Sequence, residues 1–208
     1  MQNASVDRFD ELARSWDVAP MHVERTAAIA SALRGILPST GLSTLEVGAG
    51  TGLLSFALAD HLGPVLATDP SAGMVRALED KIRQTGSPSL SALRCGDDLA
   101  GADGPFDLIL SQMALHHIPD VPGFLARAAS RLPAGGWLAI ADLDQEDGSF
   151  HGPTVTDVHF GFDRQILSSL LEQAGFEQIS FSTVHTMRRD TETGPRDYPI
   201  FLVTARRR

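Results

Sequence analysis

Apolar residues recur along this chain with two different periods, and each period predicts one kind of element. Short apolar runs of four or five residues are typical of buried strands, whereas apolar positions spaced by three and four residues are typical of amphipathic helices. The short runs predict five strands, at 44–47, 65–68, 90–94, 107–111 and 137–141. The helical spacing predicts three helices between them, at 53–61, 72–84 and 121–132. Strands that alternate with helices in this way are typical of a parallel sheet covered on both faces.

The two ends of the chain depart from this alternation. Near the start, a one-sided helical stripe is formed by Phe9, Leu12 and Trp16. Pro20 is then expected to open a second helix, whose core-facing positions are Val23, Ala27, Ala30 and Leu33. After the fifth strand, Asp163 is predicted to cap a helix, and two apolar runs at 176–184 and 200–204 flank a turn-rich stretch. That arrangement favours an antiparallel hairpin over another crossover.

Length, charge and cysteine content limit the classes of protein that fit. A chain of 208 residues has the length of one domain with one core. Its formal net charge of −9 disfavours nucleic acid and anionic membranes as partners, because both are bound through Lys and Arg. The single cysteine, Cys95, excludes an intrachain disulfide, and the first ten residues lack the features of a signal peptide. We therefore expect a cytoplasmic monomer or homodimer without nucleic-acid or membrane partners.

The strongest local signal is a glycine-rich loop after the first predicted strand. It reads Leu-Glu-Val-Gly-Ala-Gly-Thr-Gly over residues 45–52, and an apolar helix is predicted directly after it. Such a loop lets a ligand approach the backbone closely, because glycine carries no side chain. Two features weigh against a dinucleotide ligand. Leu53 stands where that fingerprint has Gly or Ala, and the acid Glu46 precedes the first glycine by two residues.

This loop, with the acidic residues that follow later strands, resembles the motifs of the class I S-adenosylmethionine-dependent methyltransferases. The resemblance covers nearly the whole chain and implies a doubly wound, Rossmann-like α/β fold. In that fold a mostly parallel seven-stranded sheet carries helices on both faces and ends in a C-terminal antiparallel hairpin. The resemblance also implies S-adenosylmethionine as the cofactor and S-adenosylhomocysteine as the product. It divides the single domain, 1–208, into a helical lid at 1–40 and a cofactor-binding core at 41–208.

The resemblance also implies which residues contact the cofactor. Glu46 is expected near the ammonium group of the methionine part, directly or through water, with a floor formed by Gly48, Ala49 and Gly50. Asp69 is expected to accept hydrogen bonds from both ribose hydroxyls. In relatives, an acid at the position of Asp97 accepts from the adenine amino group. The other expected cofactor neighbours are Trp16, Pro70, Met74, Asp98, Leu99, Ser111, Gln112 and Met113.

Each of these matches also has a simpler structural explanation. A glycine can serve a tight turn, and an acid in a loop can be a solvated carboxylate. The cofactor site is favoured by their joint occurrence in the right order, each at the carboxyl end of its strand. An open α/β sheet has its binding crevice at that edge.

The candidates for chemistry are histidines and acids in the later loops. Methyl transfer from a sulfonium has a neutral leaving group, so positioning and exclusion of water supply much of the rate and a general base is optional. His117 is the predicted catalytic residue, although the pair His116-His117 also suits a structural role in anchoring its loop. The other candidates are His151, His159, Asp142 and Asp144. No pair has the helix-face spacing of a firm metal site, so no metal is expected.

The stretch 142–162 resembles a subgroup of small bacterial methyltransferases related to the ubiquinone and menaquinone methylating enzymes. In that architecture this loop faces the methyl acceptor. The small size and acidic charge of the chain then favour a small-molecule acceptor. Two other functions stay open at this point. One is a nicotinamide-dinucleotide-dependent oxidoreductase on the same fold, and the other is a regulatory module that binds S-adenosylmethionine without turnover.

Overall fold

The computed structural model describes residues 4–39, 41–152, 155–191 and 194–208. Residues 1–3 and Thr40 of the predicted lid segment therefore lie outside the described residues. The described helices are α1 Ala4–Leu12, α2 Pro20–Ile36, α3 Leu53–Ala57, α4 Ala72–Thr85, α5 Val121–Ser130 and α6 Arg164–Gln173. Two short 3-10 helices lie at Ala13–Val18 and Leu115–His117. The described strands are β1 Thr44–Val47, β2 Val65–Asp69, β3 Leu90–Arg94, β4 Leu108–Gln112, β5 Trp137–Leu143, β6 Phe176–Thr191 and β7 Gly194–Arg207.

The strands form one sheet in the order β3-β2-β1-β4-β5-β7-β6, which confirms the predicted fold class. The first five pair in parallel, and β7 lies antiparallel between β5 and β6. Successive side chains of a strand point to opposite faces, so the sheet contributes to two apolar clusters. Leu45 of β1 belongs to the cluster that includes Phe124 of α5, whereas Leu108 of β4 belongs to the cluster that includes Ile29 of α2. Helices on both faces are therefore confirmed.

The C-terminal hairpin is antiparallel as predicted, but both of its strands are longer than the apolar runs indicate. Its outer part alternates polar residues with a few buried ones, and Met187 pairs with the fully buried Tyr198 across the strands. The outer part of the hairpin contains no apolar run, because its exposed face is polar and β7 includes prolines, so the apolar pattern does not predict it as strand. The extension matters because it carries Arg189 to the candidate site.

The predicted core face of α2 is partly wrong. Val23 and Ala27 are exposed, whereas Ala30 and Leu33 are buried as expected. The buried stripe of this helix continues instead through three other residues: Arg25, Thr26 and Ile29. Arginine is usually exposed, so the sequence gives no reason to expect Arg25 to be buried. Its side chain lines a cavity instead of packing in the apolar core.

None of the helices that the structure describes is both long and apolar enough to cross a membrane.

Candidate functional site

A cavity of about 480 Å³ opens at the carboxyl end of β1, which lies between β2 and β4 in the sheet. At this point the strand order reverses, and open α/β sheets bind their ligands in the crevice that such a reversal creates. The volume lies within the range of about 300–1,000 Å³ usual for small-molecule sites. Its lining comes from the N-terminal segment between Val6 and Arg25, from the glycine loop, from the loops that follow β2, β3, β4 and β5, and from β6.

The glycine loop presents bare backbone to this cavity. Gly48 and Gly50 have φ angles of +68° and +57°, in the left-handed region that costs a residue with a side chain about 1–2 kcal/mol. A Cβ atom placed on Gly48 would lie only 2.3 Å from the Cβ of Ala114, in the loop after β4. Gly48 and Ala49 line the cavity. Gly50 lies close behind, where a Cβ would be 3.8 Å from Nε1 of Trp16.

Glu46 is buried directly behind the loop, with an exposed fraction of 1%. Its carboxylate accepts hydrogen bonds from the hydroxyl and the backbone N–H of Ser55, in the first turn of α3. Burial raises the pKa of Glu46 to about 7, despite these hydrogen bonds. The side chain thus holds the helix start in place, and its ionisation is sensitive to any positive charge that arrives beside the loop.

Asp69 at the end of β2 connects two of the segments around the cavity. Its Oδ2 accepts a hydrogen bond from the backbone N–H of Gly50 at 2.8 Å, and its Oδ1 accepts from the backbone N–H of Ser71 at 2.9 Å. Burial raises the pKa of Asp69 to about 6. Each oxygen retains a further lone-pair direction, so the carboxylate can hold the loop and accept from a ligand at once.

The three predicted residues after β3 occupy different environments. Asp97 lines the cavity, and its side chain lies 3.4 Å from the guanidinium of Arg127. Asp98 is exposed and caps its own turn by accepting from the backbone N–H of Ala100. Leu99 is fully buried in the core, with a φ of +56°. Of the three side chains, only that of Asp97 lines the cavity.

The remaining predicted neighbours also divide between lining and support. Pro70, Gln112 and Met113 line the cavity together with Trp16. Ser111 is buried at 2% exposure, and its hydroxyl has no hydrogen-bond partner among the described residues. The Met74 side chain is buried behind the glycine loop and approaches the position of a Cβ on Gly50. Ser111 and Met74 therefore lie behind the cavity wall and do not form its surface.

The N-terminal segment covers one side of the cavity and is tied to α4. Phe9 and Trp16 contact each other with ring centroids 5.7 Å apart, and Phe9 also contacts the ring of His117 at 5.2 Å. Asp10 accepts hydrogen bonds from the Ser71 hydroxyl and the Gly73 backbone at the start of α4. A salt bridge from Asp17 to Lys81 adds a second attachment. Leu12 lines the cavity but is 39% exposed.

Three histidines meet at the end of the cavity beyond the glycine loop. His116 is buried, and its Nδ1 lies 2.7 Å from a carboxylate oxygen of the fully buried Asp142. Burial lowers the pKa of His117 far below its ordinary value and that of His151 to about 4, so both rings are neutral at pH 7. His116 and His117 are a pair of neighbours in the sequence and His151 is a separate candidate, and the fold brings His151 to the pair.

The other two acid–base candidates are held by structural partners. Asp144 forms a bidentate pair with Arg164 at the start of α6, with both N–O distances at 2.7 Å. The ring of His159 lies 3.0 Å from the backbone oxygen of Ile118. Neither side chain lines the cavity.

Sequence reasoning missed the arginines of this site. Arg25 is 5% exposed, lines the cavity, and has an Nε without a hydrogen-bond partner among the described residues. Burial lowers its pKa to about 10, still well above neutral pH, so it stays charged. Arg8 and Arg189 line the same cavity. A charged residue within an amphipathic helix gives no local signal of burial, so the sequence offered no means of finding Arg25.

Comparison with known proteins finds a matching family model, curated relatives and solved structures of similar fold. Residues 45–138 match the family model described as a methyltransferase domain. The chain is 37% identical over 149 residues to the biotin biosynthesis bifunctional protein BioCD of Bordetella avium, and the match covers 69% of this chain and 30% of that protein. It is 28% identical over 169 residues to a ubiquinone biosynthesis O-methyltransferase of Azorhizobium caulinodans, with 71% and 67% covered.

The chain thus spans less than a third of the length of BioCD and about two thirds of the O-methyltransferase. Among solved structures, an S-adenosylmethionine-dependent methyltransferase from Aquifex aeolicus has a similar fold, with a TM-score of 0.64 at 20% identity. That match covers 84% of this chain and 87% of the other. At this identity the structural similarity bears on the fold alone.

Proposed function

We propose that this chain, which belongs to the class I S-adenosylmethionine-dependent methyltransferases, transfers the methyl group of S-adenosylmethionine to a small-molecule acceptor. One observation carries the proposal. The cavity at the reversal of strand order has bare glycine backbone as its floor, buried carboxyl groups behind that floor and aromatic residues of the N-terminal segment as its cover. A ligand with a cationic centre and an adenosyl part fits this combination.

The residues of the glycine loop and of the adjacent strand ends fit S-adenosylmethionine as the cofactor. Gly48 admits no side chain without displacing Ala114, so the backbone there is shaped for close approach. Burial raises the pKa values of Glu46 and Asp69, and a cation bound beside them would favour their ionised forms. Glu46 would act on the ammonium group directly or through water, Asp69 would accept from the ribose hydroxyls, and Asp97 would accept from the adenine amino group.

When bound, S-adenosylmethionine supplies a methyl group on a positively charged sulfur, which leaves as a neutral thioether. The chain itself then has to orient the acceptor and exclude water. Phe9 and Trp16 cover the cavity, and Met113 and His117 form part of its wall after β4. His117 is the proposed group to take a proton from the acceptor where the acceptor has one to lose. Burial keeps its ring neutral but lowers its pKa far below pH 7, so it is a weak base and the rate has to come mainly from positioning of the acceptor.

The cationic side chains of the cavity indicate the charge of the acceptor. Arg8, Arg25 and Arg189 line the same cavity as the three histidines, and Arg25 has an unpartnered Nε among the described residues. We therefore propose an acceptor with an anionic or ionisable oxygen. The net charge of −9 disfavours nucleic acid and anionic membranes as partners. We propose that the acceptor is a free metabolite of the cytoplasm and that the enzyme is a monomer or homodimer of single domains.

The proposed lid, within residues 1–40, leads to a specific prediction. Deletion of residues 1–17 removes Phe9 and Trp16 and the attachments of Asp10 and Asp17 to α4. The affinity for S-adenosylmethionine is then expected to fall about tenfold or more, which corresponds to a loss of about 1.4 kcal/mol of binding free energy. None of the seven described strands includes these residues, so the remainder of the chain should stay folded. Calorimetric titration measures the affinity, and circular dichroism checks the fold. Equal affinity in a folded variant would contradict the lid.

The function itself is tested by parallel titrations of the full chain. S-adenosylmethionine and S-adenosylhomocysteine are expected to bind with micromolar affinity, whereas a nicotinamide dinucleotide is expected to give no heat of binding. Methyl transfer from labelled cofactor to a panel of small carboxylates, phenols and enols then distinguishes an enzyme from a module that only binds. Tight dinucleotide binding without a response to S-adenosylmethionine would overturn the proposal.

A further inference from the structure

The three histidines at the acceptor end of the cavity are arranged as ligands of a single ion. One ring nitrogen from each of His116, His117 and His151 can be chosen so that all three lie within 4.8 Å of one another. The 3-10 helix Leu115–His117 supplies two of the rings, and the loop after β5 supplies the third. Ring centroids are 4.2 Å apart for His116 and His117 and 5.1 Å apart for His116 and His151.

Two ring nitrogens of this cluster are buried without a hydrogen-bond partner among the described residues. Because Nδ1 of His116 faces the carboxylate of Asp142 at 2.7 Å, Nδ1 carries the proton and Nε2 holds a lone pair. Nε2 of His116 and Nε2 of His151 are both buried without a hydrogen-bond partner among the described residues. An unsatisfied buried polar atom costs about 1–3 kcal/mol, so a partner for these two nitrogens is physically favoured. His116 itself is 99% buried, with an exposed fraction of 1%.

We propose that His116, His117 and His151 form a binding site for a divalent transition-metal ion, with zinc as the best match. Three imidazoles and one open position are a ligand set of zinc sites that do chemistry. Magnesium and calcium prefer oxygen ligands and do not fit. The buried Asp142 holds His116 as second-sphere carboxylates hold metal-binding histidines, fixing both tautomer and ring orientation. The proposal departs from the sequence-based expectation of no metal.

The distances require only a small contraction. Zinc lies about 2.0–2.1 Å from each imidazole nitrogen, which places tetrahedral ligands about 3.4 Å apart. The longest separation in the cluster therefore has to shorten by at most about 1.4 Å, within reach of side-chain rotation. His151 lies in the loop after β5 rather than in the sheet, so it is the ligand best able to move.

The charges around the cluster determine what completes the coordination. Asp142 contributes one buried negative charge next to His116, whereas Arg8, Arg25 and Arg189 contribute positive charge from other walls of the cavity. That positive charge opposes a bare cation and favours an anion beside it. The fourth ligand is therefore expected to be anionic, either hydroxide or an ionised oxygen of the acceptor.

The role of the ion in catalysis rests on the proposed function, but its binding does not. An acceptor hydroxyl on the ion would lose its proton to solvent more readily, because the ion lowers its pKa. The oxygen lone pair then forms the bond to the methyl carbon, and the carbon–sulfur bonding pair stays on sulfur as the thioether. With the ion bound, His117 is a ligand and not the base.

The test is a direct metal titration of the full chain after dialysis against a chelator and in the absence of S-adenosylmethionine. Cobalt(II) is expected to bind at one ion per chain with visible absorption typical of a tetrahedral site, and zinc is expected to displace it. Replacement of one ligand, by His151→Gln or by His117→Gln, should weaken binding about a hundredfold or more, since even second-sphere changes cost about 10–100-fold. Circular dichroism and the melting temperature check that each variant folds.

The matched control is His61→Gln, which removes a half-buried histidine whose ring lies 3.2 Å from the backbone oxygen of Leu37, away from the cavity. It should bind cobalt like the parent chain. No stoichiometric binding, or binding that survives both His151→Gln and His117→Gln, would overturn the proposal. A parallel calorimetric titration with S-adenosylmethionine separates the two claims, because loss of cofactor binding with intact cobalt binding would contradict only the proposed function.

Discussion

A Gly48→Ala variant is expected to bind S-adenosylmethionine about a hundredfold less tightly than the parent chain, for a loss of about 2–3 kcal/mol. Two costs add at this residue. Its φ of +68° lies in the left-handed region, and its new methyl group would lie 2.3 Å from the Cβ of Ala114. The loop after β4 would have to move, and that loop carries Met113 and His117 into the cavity. Isothermal titration calorimetry measures the affinity.

Gly41→Ala is the matched control for backbone strain. Gly41 has nearly the same φ, +69°, but nothing lies within 4 Å of the position of its Cβ. It lies in the turn before β1 and away from the cavity. The control should lose about 1–2 kcal/mol of folding stability and keep the affinity of the parent. If Gly48→Ala also keeps that affinity, the loop is a structural turn and not the floor of a cofactor site.

Glu46→Gln is expected to stabilise the fold at pH 8, by up to about 3 kcal/mol, while it weakens the cofactor affinity. The folded pKa of about 7 lies above the ordinary value of 4.5, so the folded chain binds more protons than the unfolded chain between these pH values. For this group, stability therefore falls as the pH rises from about 4.5 to about 7 and stays low above pH 7. Gln is neutral at every pH and avoids that cost.

Urea unfolding at pH 5 and pH 8 measures this effect. The difference between Glu46→Gln and the parent should be small at pH 5 and close to its maximum at pH 8. Glu24→Gln, which removes an exposed carboxylate on α2, is the matched control. Affinity for S-adenosylmethionine should fall about tenfold at pH 8, as for a lost charge-assisted interaction. A variant that is less stable than the parent at pH 8 would show that the carboxylate of Glu46 is needed by the fold itself.

The sequence by itself determined the order of the elements and the position of the glycine loop. Both are local properties. A run of apolar residues predicts a buried strand. The strand predicted at Thr44–Val47 has the same bounds in the structure. The glycines reveal a loop because only glycine adopts left-handed backbone angles at little cost, as Gly48 and Gly50 do. Acids at strand ends follow from the same local pattern once the sheet is parallel.

Only the tertiary structure decided which polar residues share the cavity. Arg25 reaches the side chain of Met187, 162 residues later in the chain, and His116 and His117 meet His151 from another loop. These long-range contacts depend on the strand order and on the paths of the loops, and the local hydrophobic pattern of the sequence does not determine either. The face that α2 buries was likewise decided by packing, since the helix turns Arg25 to the cavity and leaves Val23 exposed. The physical reason is that periodicity reports on the burial of single elements, whereas a site is a set of distances between elements.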